Sequence, residues 1–249
     1  MFLFTRIEKC AGTSFNEILS LTYPRYFHIT KNHYGGNETR NDLTFDQYKK
    51  ILKYYPSGIG GHSVRPYLEF LPSKKRITFL RNPLDRYFSQ YNHMMERGWT
   101  TSIEEFLETE FYNNFITKKI AGTNNYKAAE KILDGFEFIG SADEYNKSLN
   151  YFQDLLNVKL IGNLEIKNKR NHRRDYLSFS DLSNAQKSKA EENNKLDIQL
   201  YEKFILQNSI IDHYSESVVL KKPSKFKKQL IHKIDKYKKH KIINPIRLV

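Results

Sequence analysis

A short stretch near the N-terminus decides the fold: residues 6–15 read RIEKCAGTSF and directly follow the apolar run MFLFT at residues 1–5. A second stretch of the same form, residues 79–91, reads FLRNPLDRYFSQY. Each pattern predicts a strand, a tight turn and the start of a helix, with a cation and hydroxyl groups at the turn. One such turn can bind a phosphate group, and two together indicate a ligand with anionic groups at both ends.

The rest of the chain alternates between strand and helix patterns. Short apolar runs bounded by turn residues predict strands at residues 2–7, 76–80, 136–140 and 158–162. Apolar positions at helical spacing predict helices at residues 14–21, 84–97, 143–156 and 194–209. Such alternation is typical of an α/β fold, so we predict a central, mostly parallel sheet flanked by helices on both faces.

Length and composition limit the class of protein. The chain has 249 residues, 39% of them hydrophobic, which is enough for one domain with a substantial core. No apolar run approaches the roughly 20 residues that span a membrane, and we see no signal-peptide pattern. Cys10 is the only cysteine, which excludes an intrachain disulfide and a cysteine-based metal site. We therefore expect a cytoplasmic protein.

The positive charge is concentrated in the C-terminal part of the sequence. The formal net charge is +13, and residues 221–249 hold eleven lysines and arginines against one aspartate. The rest is only mildly basic, so we divide the sequence into a domain at residues 1–220 and a basic tail at residues 221–249.

The tail contains one apolar stripe at helical spacing, on a lysine-rich background. Its members are Phe226, Leu230, Ile234 and Tyr237. Such a helix either docks on the domain through the stripe or lies peripherally on an anionic membrane surface, here the inner face of a membrane. The sequence leaves both alternatives open.

The first turn has residues that suit an anion. Gly12 permits close approach to backbone N–H groups at the helix start, and Thr13 and Ser14 add hydroxyl donors. Lys9 adds a positive charge. The alternative is that Thr13 or Ser14 only caps the helix and Lys9 lies in solvent. In a Walker A loop the lysine follows the second glycine, whereas here it precedes Gly12, which argues against a P-loop kinase.

The second turn places a cation at the end of a strand. Arg81 can bind a phosphate with its forked guanidinium group, and Ser89 lies about two helical turns further on, where it can donate to the same group. The alternative is that Arg81 pairs with Asp85 and that Ser89 only packs.

Taken in order, the two motifs resemble those of sulfotransferases that use 3′-phosphoadenosine 5′-phosphosulfate (PAPS). Residues 8–14 (EKCAGTS) are similar to the 5′-phosphosulfate loop of that family, usually PKTG(G/S)TS, and residues 81–91 to its 3′-phosphate motif. The similarity covers about residues 3–207 and points to the uronyl and heparan sulfate 2-O-sulfotransferase-like group. Three further segments resemble that group: residues 60–64 (GGHSV), 138–140 (FIG) and 197–202 (DIQLYE).

The resemblance implies a P-loop-like sulfotransferase fold with PAPS as the donor, 3′-phosphoadenosine 5′-phosphate (PAP) as a product, and no metal. The 3′-phosphate is expected at Arg81 and Ser89. The 5′-phosphosulfate is expected at Lys9, Cys10, Ala11, Gly12, Thr13 and Ser14. The chain departs from the family pattern in this loop, where Glu8 replaces proline, Cys10 replaces threonine and Ala11 replaces glycine. Donor binding there is expected to depend on the backbone N–H groups.

Sulfuryl transfer to an alcohol needs an aligned donor, a stabilised leaving oxygen and a base for the acceptor hydroxyl. His62 is the candidate base, because it follows a flexible turn at residues 59–61, has an ordinary pKa of ~6.5 and matches a family histidine. The alternative is a surface or packed histidine beside Arg65. Lys9 is expected to stabilise the leaving oxygen. His28, Arg65 and Arg86 are expected to bind the acceptor, a sugar or glycan; for the two arginines the alternative is an ion pair within the chain.

The basic segment at residues 163–180 is a candidate lid over the adenine or the 3′-phosphate of the donor; the alternative is a basic loop that lies in solvent. Two other classes of function stay open. A kinase-like phosphotransferase would need a Walker-type lysine and acidic Mg²⁺ ligands, and we find neither pattern. A basic glycan- or nucleic-acid-binding protein would explain the tail but not the two anion-binding turns, so no nucleic-acid partner is expected.

Overall fold

The computed structural model describes residues 1–29, 43–68, 71, 74–163 and 176–243. Within these ranges five parallel strands form one sheet in the spatial order β2-β3-β1-β4-β5. The strands are β1 (Phe2–Thr5), β2 (Tyr26–Ile29), β3 (Gly58–Gly61), β4 (Lys75–Leu80) and β5 (Phe138–Ser141). The predicted α/β fold is confirmed, and the sheet is entirely parallel.

Strand β3 corrects a prediction, because the sequence indicates a flexible turn at residues 59–61. Glycine is disfavoured within strands, but larger side chains have no room here. A Cβ at Gly58 would lie 2.5 Å from the ring of Phe2, and one at Gly60 would lie 2.1 Å from the hydroxyl of Tyr26. Aromatic rings from the neighbouring strands therefore occupy the space that side chains of β3 would need.

The strand predicted at residues 158–162 is wrong. An isolated bridge between Ile161 and Lys221 is the pairing that the structure shows for this segment. Leu160 is nevertheless fully buried, and its N–H group donates to the Gln153 side chain at 3.0 Å. The apolar character of the segment thus reflects burial of an irregular chain, which a short apolar run does not distinguish from a strand.

Helices cover both faces of the sheet, and three predicted helices correspond to α1 (Gly12–Thr22), α3 (Pro83–Glu96) and α7 (Tyr145–Leu155). The helix predicted at residues 194–209 begins as α9 and continues as a π-helix, Glu202–Leu206. The α-helices of the described residues are α1 (Gly12–Thr22), α2 (Phe45–Leu52), α3 (Pro83–Glu96), α4 (Ile103–Leu107), α5 (Phe115–Ala121), α6 (Tyr126–Asp134), α7 (Tyr145–Leu155), α8 (Asn184–Asn193), α9 (Lys195–Tyr201) and α10 (Lys225–Tyr237).

Aromatic side chains dominate the core behind the first turn. The ring of Phe15, near the start of α1, contacts Phe4, Phe79 and Phe152 edge to face, with centroids 5.1, 4.7 and 5.2 Å apart. Such contacts are directional as well as apolar. They fix the N-terminal end of α1 against β1 and β4, where the two predicted anion-binding turns begin.

The tail helix α10 packs against α1, but not through the predicted stripe. Ile231 is the buried side chain of α10, whereas Phe226, Leu230 and Tyr237 are 73%, 43% and 62% exposed. The stripe therefore faces mostly away from the domain. No helix of the described residues is long and apolar enough to cross a membrane.

The residues after α10 also join the domain, next to strand β2. Ile242 and Ile243 are buried in a cluster with Phe27. The Nζ of Lys238 donates to the carbonyl oxygens of Pro24 and Tyr26, each at 2.8 Å. A buried lysine thus satisfies carbonyl groups at the edge of the sheet. The predicted lid at residues 163–180 lies mostly outside the described residues.

Candidate active site

The segments that follow the parallel strands meet at one edge of the sheet. The chain reaches Glu8 after β1, His62 after β3, Arg81 after β4 and Asp143 after β5. The strand order reverses at β1, since β3 and β2 lie on one side of it and β4 and β5 on the other. In open parallel sheets, ligands bind outside the carboxyl ends of the strands at such a reversal. The fold thus brings the predicted turns and base to one place.

The backbone of the first turn is shaped for an anion. Lys9 and Ala11 both have left-handed conformations, with φ of 67° and 54°. Helix α1 begins directly afterwards at Gly12, and no side chain caps it at residue 11. The first N–H groups of α1 have no acceptor within the helix, and the helix dipole favours negative charge at this end. The left-handed backbone at Ala11 also explains why glycine suits this position.

The side chain of Arg6 packs against Gly12 and bonds to Thr13, and so supports this turn. The sequence did not indicate this role. A Cβ at Gly12 would lie 2.7 Å from Cγ of Arg6 and 2.8 Å from its Nε, so the glycine permits the arginine to pass. The Nη2 of Arg6 donates to Oγ1 of Thr13 at 2.7 Å. Because the Thr13 oxygen accepts from Arg6, its own hydroxyl hydrogen points elsewhere and can donate to a ligand.

Cys10 and Ser14 occupy the interior side of the turn. Cys10 is 1% exposed, its Sγ lies 3.7 Å from the carbonyl oxygen of Glu8, and burial raises the pKa of its thiol to about 12. Ser14 is also buried. The side chain of Cys10 is therefore held as a neutral thiol in the core, and what residue 10 offers a ligand is its backbone N–H group.

Arg81 links the second turn to the first. Its Nη1 donates to the carbonyl oxygen of Lys9 at 3.3 Å, and its Nε lies 3.7 Å from Oδ1 of Asp143. The alternative pairing with Asp85 is thus replaced by one with Asp143, which was not singled out in the sequence. The Arg81 side chain stays 31% exposed, which leaves part of the guanidinium group accessible to a ligand.

Asp143 ties together the segments after β4 and β5. Its Oδ2 accepts from the backbone N–H of Asn82 and from the Tyr201 hydroxyl, both at 2.8 Å. Asn82 in turn caps α3, accepting from Leu84 and Asp85. The start of α3 is therefore held firmly, and Ser89 lies half-buried two turns along it.

His62 lies beside Glu8 and Lys119. The Nδ1 of His62 is 3.0 Å from Oε1 of Glu8, and the Nζ of Lys119 is 3.2 Å from the same oxygen. Lys119 also donates to the carbonyl oxygen of His62 at 2.9 Å, and its side chain is only 2% exposed. The His62 side chain is 18% exposed, so the ring reaches the surface of the site.

The charges of this group act on each other. Burial alone would raise the pKa of the Glu8 carboxyl, but the charges of Lys119 and His62 outweigh that effect and hold the pKa well below its usual range. For His62, burial lowers the pKa below its usual 6.5, and the Glu8 carboxylate offsets part of that decrease. His62 is therefore mainly neutral near pH 7, as a general base must be.

The segment at residues 197–202 has a structural part in this arrangement. Buried Asp197 accepts from the backbone N–H groups of Ile116 and Thr117, each at 2.8 Å, and thereby caps helix α5. That helix carries Lys119. Burial raises the pKa of the Asp197 carboxyl, and the charge of Arg86 opposes the change.

Arg86 lies in the core, which argues against the predicted acceptor-binding role. It is 0% exposed, its guanidinium group lies 4.9 Å from the ring centroid of Phe115, and its Nη2 donates to the carbonyl oxygen of Tyr112 at 3.4 Å. Its charge compensates buried Asp197, so its function is structural. No acceptor can reach a guanidinium group in this position.

Arg65 and His28 lie nearer the site. Arg65 is 8% exposed and its charge acts on Glu8, so little of it is accessible. The Nε2 of half-buried His28 lies 2.7 Å from Nδ2 of Asn16 and 3.3 Å from Nη1 of Arg6. Since both neighbours are donors, His28 acts as an acceptor there and supports Arg6 and the first turn.

An entirely parallel sheet with two linked strand–turn–helix segments at its carboxyl edge is typical of P-loop-like proteins that bind phosphorylated ligands. The model of the sulfotransferase family matches residues 1–204. This chain belongs to the sulfotransferase family, and its activity is the transfer of sulfuryl groups.

One solved structure that matches this chain is a sulfotransferase from Alicyclobacillus acidocaldarius. It is 14% identical to this chain, and the match covers 79% of this chain and 95% of that one, with a TM-score of 0.42. No curated protein matches the sequence. The family assignment rests on the family model alone.

Proposed function

We propose that this chain transfers the sulfuryl group of PAPS to a hydroxyl group of a sugar or glycan, with His62 as the general base. The observation that carries the proposal is the contact of Arg81 with the carbonyl oxygen of Lys9. It joins the two anion-binding turns into one site with two anionic subsites, and His62 lies at the same edge of the sheet. A donor with a 5′-phosphosulfate and a 3′-phosphate has the charge pattern that this site requires.

The residues present fit such a donor. The left-handed turn at Lys9 and Ala11, followed by the start of α1 and by Thr13, would bind the 5′-phosphosulfate. Arg81 and Ser89 would bind the 3′-phosphate. When bound, the nucleotide supplies an activated sulfuryl group with a phosphate as the leaving group, and Lys9 would stabilise the charge that develops on the leaving oxygen.

His62 would accept the proton of the acceptor hydroxyl. Its lowered pKa keeps the ring neutral near pH 7, and its 18% exposed side chain can contact an acceptor. A positioned base of this kind contributes about 10²–10⁴-fold to a rate. We expect His62→Ala to lower kcat by about that factor, with little change in donor affinity.

Titration calorimetry with PAP tests the donor. We expect binding of PAP, and much weaker binding of adenosine 5′-phosphate, which lacks the 3′-phosphate. Binding of ATP or RNA without binding of PAP would contradict the proposal and favour a kinase-like or nucleic-acid-binding protein. Loss of PAP affinity in His62→Ala would show that His62 binds the donor and that its assignment as the base is wrong.

The sugar acceptor is tested by a mass-spectrometric screen with isotope-labelled PAPS. The library should pair each glycan with its desulfated and reduced forms, so that a labelled product identifies both the acceptor class and the position. Labelling confined to phenols or other small alcohols would contradict a sugar acceptor while leaving the sulfotransferase activity in place.

We also propose that the tail binds an anionic membrane surface. The support is that three of the four stripe residues of α10, Phe226, Leu230 and Tyr237, are exposed among the lysines of the tail. The fourth, Ile234, is half-buried, and Ile231 faces the domain. Apolar side chains surrounded by lysines favour the interface of anionic lipids. The cytoplasmic location expected from the sequence stays a prediction.

Vesicle flotation tests the membrane proposal without removing α10, which packs on the domain. A variant with serine at residues 226, 230 and 237 should lose binding to vesicles that contain phosphatidylserine. The matched control carries Tyr54→Ser, Trp99→Ser and Val219→Ser, since these side chains are 49%, 53% and 81% exposed elsewhere. Equal flotation of the two variants would contradict the proposal.

A further inference from the structure

Glu8 is a costly residue to place at this position. It directly precedes Lys9 in the donor turn, so its negative charge lies next to the site expected for an anionic donor. Its Oε2 is buried and accepts no hydrogen bond from any residue that the structure describes. A buried carboxylate without full hydrogen bonding destabilises a fold, unless nearby positive charges compensate it. The cost of this carboxylate therefore indicates that Glu8 has a functional role.

The surroundings of Glu8 show what the carboxylate contacts. Its Oε1 lies between Nδ1 of His62 at 3.0 Å and Nζ of Lys119 at 3.2 Å. Lys119 is itself buried and fixes the backbone of residue 62 by donating to its carbonyl oxygen at 2.9 Å. Glu8 thus touches the ring of His62, and Lys119 holds both the carboxylate and the peptide of that histidine.

We propose that Glu8 is the positioning residue of the catalytic histidine: its carboxylate accepts the Nδ1–H of His62 and leaves Nε2 as the basic nitrogen that faces the acceptor. This inference rests on the proposed function, in which His62 is the base. A carboxylate on one ring nitrogen fixes both the tautomer and the orientation of an imidazole. Among the described residues, Nδ1 of His62 lies 3.0 Å from Oε1 of Glu8 but has no hydrogen-bond partner. Catalytic hydrogen bonds are often poorly aligned before the substrate binds.

During the reaction, the carboxylate of Glu8 would also stabilise the protonated form of His62. The acceptor oxygen forms a bond to sulfur while the bond from sulfur to the bridging oxygen of the donor breaks, and the acceptor proton passes to Nε2 of His62. The imidazolium that results is mostly buried and lies near Arg6 and Lys119, whose positive charges disfavour it. Glu8 provides the negative charge that stabilises it.

The positive charges of Lys119 and Arg65 stabilise the ionised carboxylate of Glu8; they do not contact the reacting groups. Both lower the pKa of its carboxyl, so that Glu8 remains ionised when His62 is neutral. A protonated Glu8 would offer His62 no charge. Buried Lys119 therefore keeps the carboxylate of Glu8 ionised, the state in which it can position His62.

The first test is spectroscopic and needs no activity. Long-range ¹⁵N–¹H spectra of the wild-type protein, with His62 assigned through its backbone, report which ring nitrogen carries the proton. We expect the Nδ1–H tautomer above the pKa of His62. The Nε2–H tautomer would overturn the proposal. Because no donor or acceptor is present, this result is independent of whether the chain transfers sulfuryl groups.

The second test uses Glu8→Gln, which keeps the shape of the side chain and removes its charge. Loss of the carboxylate should lower the pKa of His62 in an NMR titration, and the acidic limb of kcat/KM should move to lower pH. We expect kcat to fall on the order of 10- to 100-fold, part of the contribution of a general base. The KM for PAPS should not rise, because glutamine removes a negative charge beside the site expected for the donor, and Glu8→Asp should restore part of kcat.

Glu130→Gln is the matched control, because Glu130 also bonds to lysines and a tyrosine but lies on α6. An unchanged pKa of His62 in Glu8→Gln, or a loss of kcat without a moved pH limb, would overturn the positioning role. If Glu8→Gln fails to fold, the tautomer of His62 in the wild-type protein still tests the positioning role of Glu8. A wild-type Nδ1–H tautomer in a chain without sulfotransferase activity would instead reject the proposed function and leave the Glu8–His62 pair standing.

Discussion

Replacing Ala11 by glycine is expected to stabilise the protein. Ala11 has a left-handed backbone with φ of 54°. This conformation costs a residue with a Cβ about 1–2 kcal/mol. Glycine gives the unfolded chain more freedom, which offsets about 0.4–1 kcal/mol of that gain. The free energy of unfolding of Ala11→Gly should therefore rise by roughly 0.5–1 kcal/mol.

Calorimetry and urea unfolding measure this change. For a chain of this size the gain corresponds to an increase of about 1–4 °C in Tm. Ala185→Gly is the matched control, since Ala185 is exposed in α8. Glycine in the middle of a helix costs about 0.5–1 kcal/mol. Ala185 lies in the first turn of α8, so Ala185→Gly should lower Tm by at most a corresponding amount, and the two variants should shift Tm in opposite directions.

A decrease in Tm for Ala11→Gly, similar to that for Ala185→Gly, would refute the left-handed conformation at residue 11. The substitution keeps every backbone N–H group of the turn. Affinity for PAP should therefore not fall, and a clear loss would show that the Ala11 methyl group itself contacts the donor.

Three further predictions follow from the site. Arg81→Ala should weaken PAP binding by about 10- to 100-fold, because a hydrogen bond to a charged group contributes about 1.5–3 kcal/mol, and calorimetry with adenosine 5′-phosphate should show no comparable loss. The pKa of Glu8 is lowered in the folded state, so its stabilising effect is present above its unfolded pKa of 4.5 and is lost as the pH falls toward the folded value. Urea midpoints of Glu8→Gln should accordingly depend less on pH below 4.5 than those of the wild type, and parallel curves would contradict this assignment. Finally, Cys10, buried with a pKa of about 12, should resist iodoacetamide in the native protein and react after unfolding; rapid native labelling would show that the turn opens.

Local sequence patterns were sufficient for the elements that carry the two turns. Strands β1 and β4 are short apolar runs followed by a turn and a helix start, and Pro83 and Asn82 mark the beginning of α3. The same reasoning failed for β3, where Gly60 and Gly61 predict a flexible turn at residues 59–61. The reason the glycines of β3 form a strand is the packing of Phe2 and Tyr26 from neighbouring strands, which no local pattern contains.

The candidate site was predictable only where a motif includes the residue. Lys9, Arg81 and His62 lie in or next to recognisable segments. Lys119 and Asp143 meet them only because α5 and β5 fold against the same edge, at distances of 57 residues from His62 and 62 residues from Arg81 along the sequence. For Arg86, a basic residue within a recognised motif resembled a ligand-binding group, and only its burial beside Asp197 shows otherwise.

The hydrogen bonds of Lys238 have a consequence for the order of folding. They join this residue to Pro24 and Tyr26, contacts that span 214 and 212 residues of the chain. During synthesis the N-terminal strands emerge first, but the outer edge at β2 cannot acquire this contact until residue 238 has left the ribosome. Contacts of such long range form late and slowly, so β2 would remain open to mispairing for most of the time that translation takes.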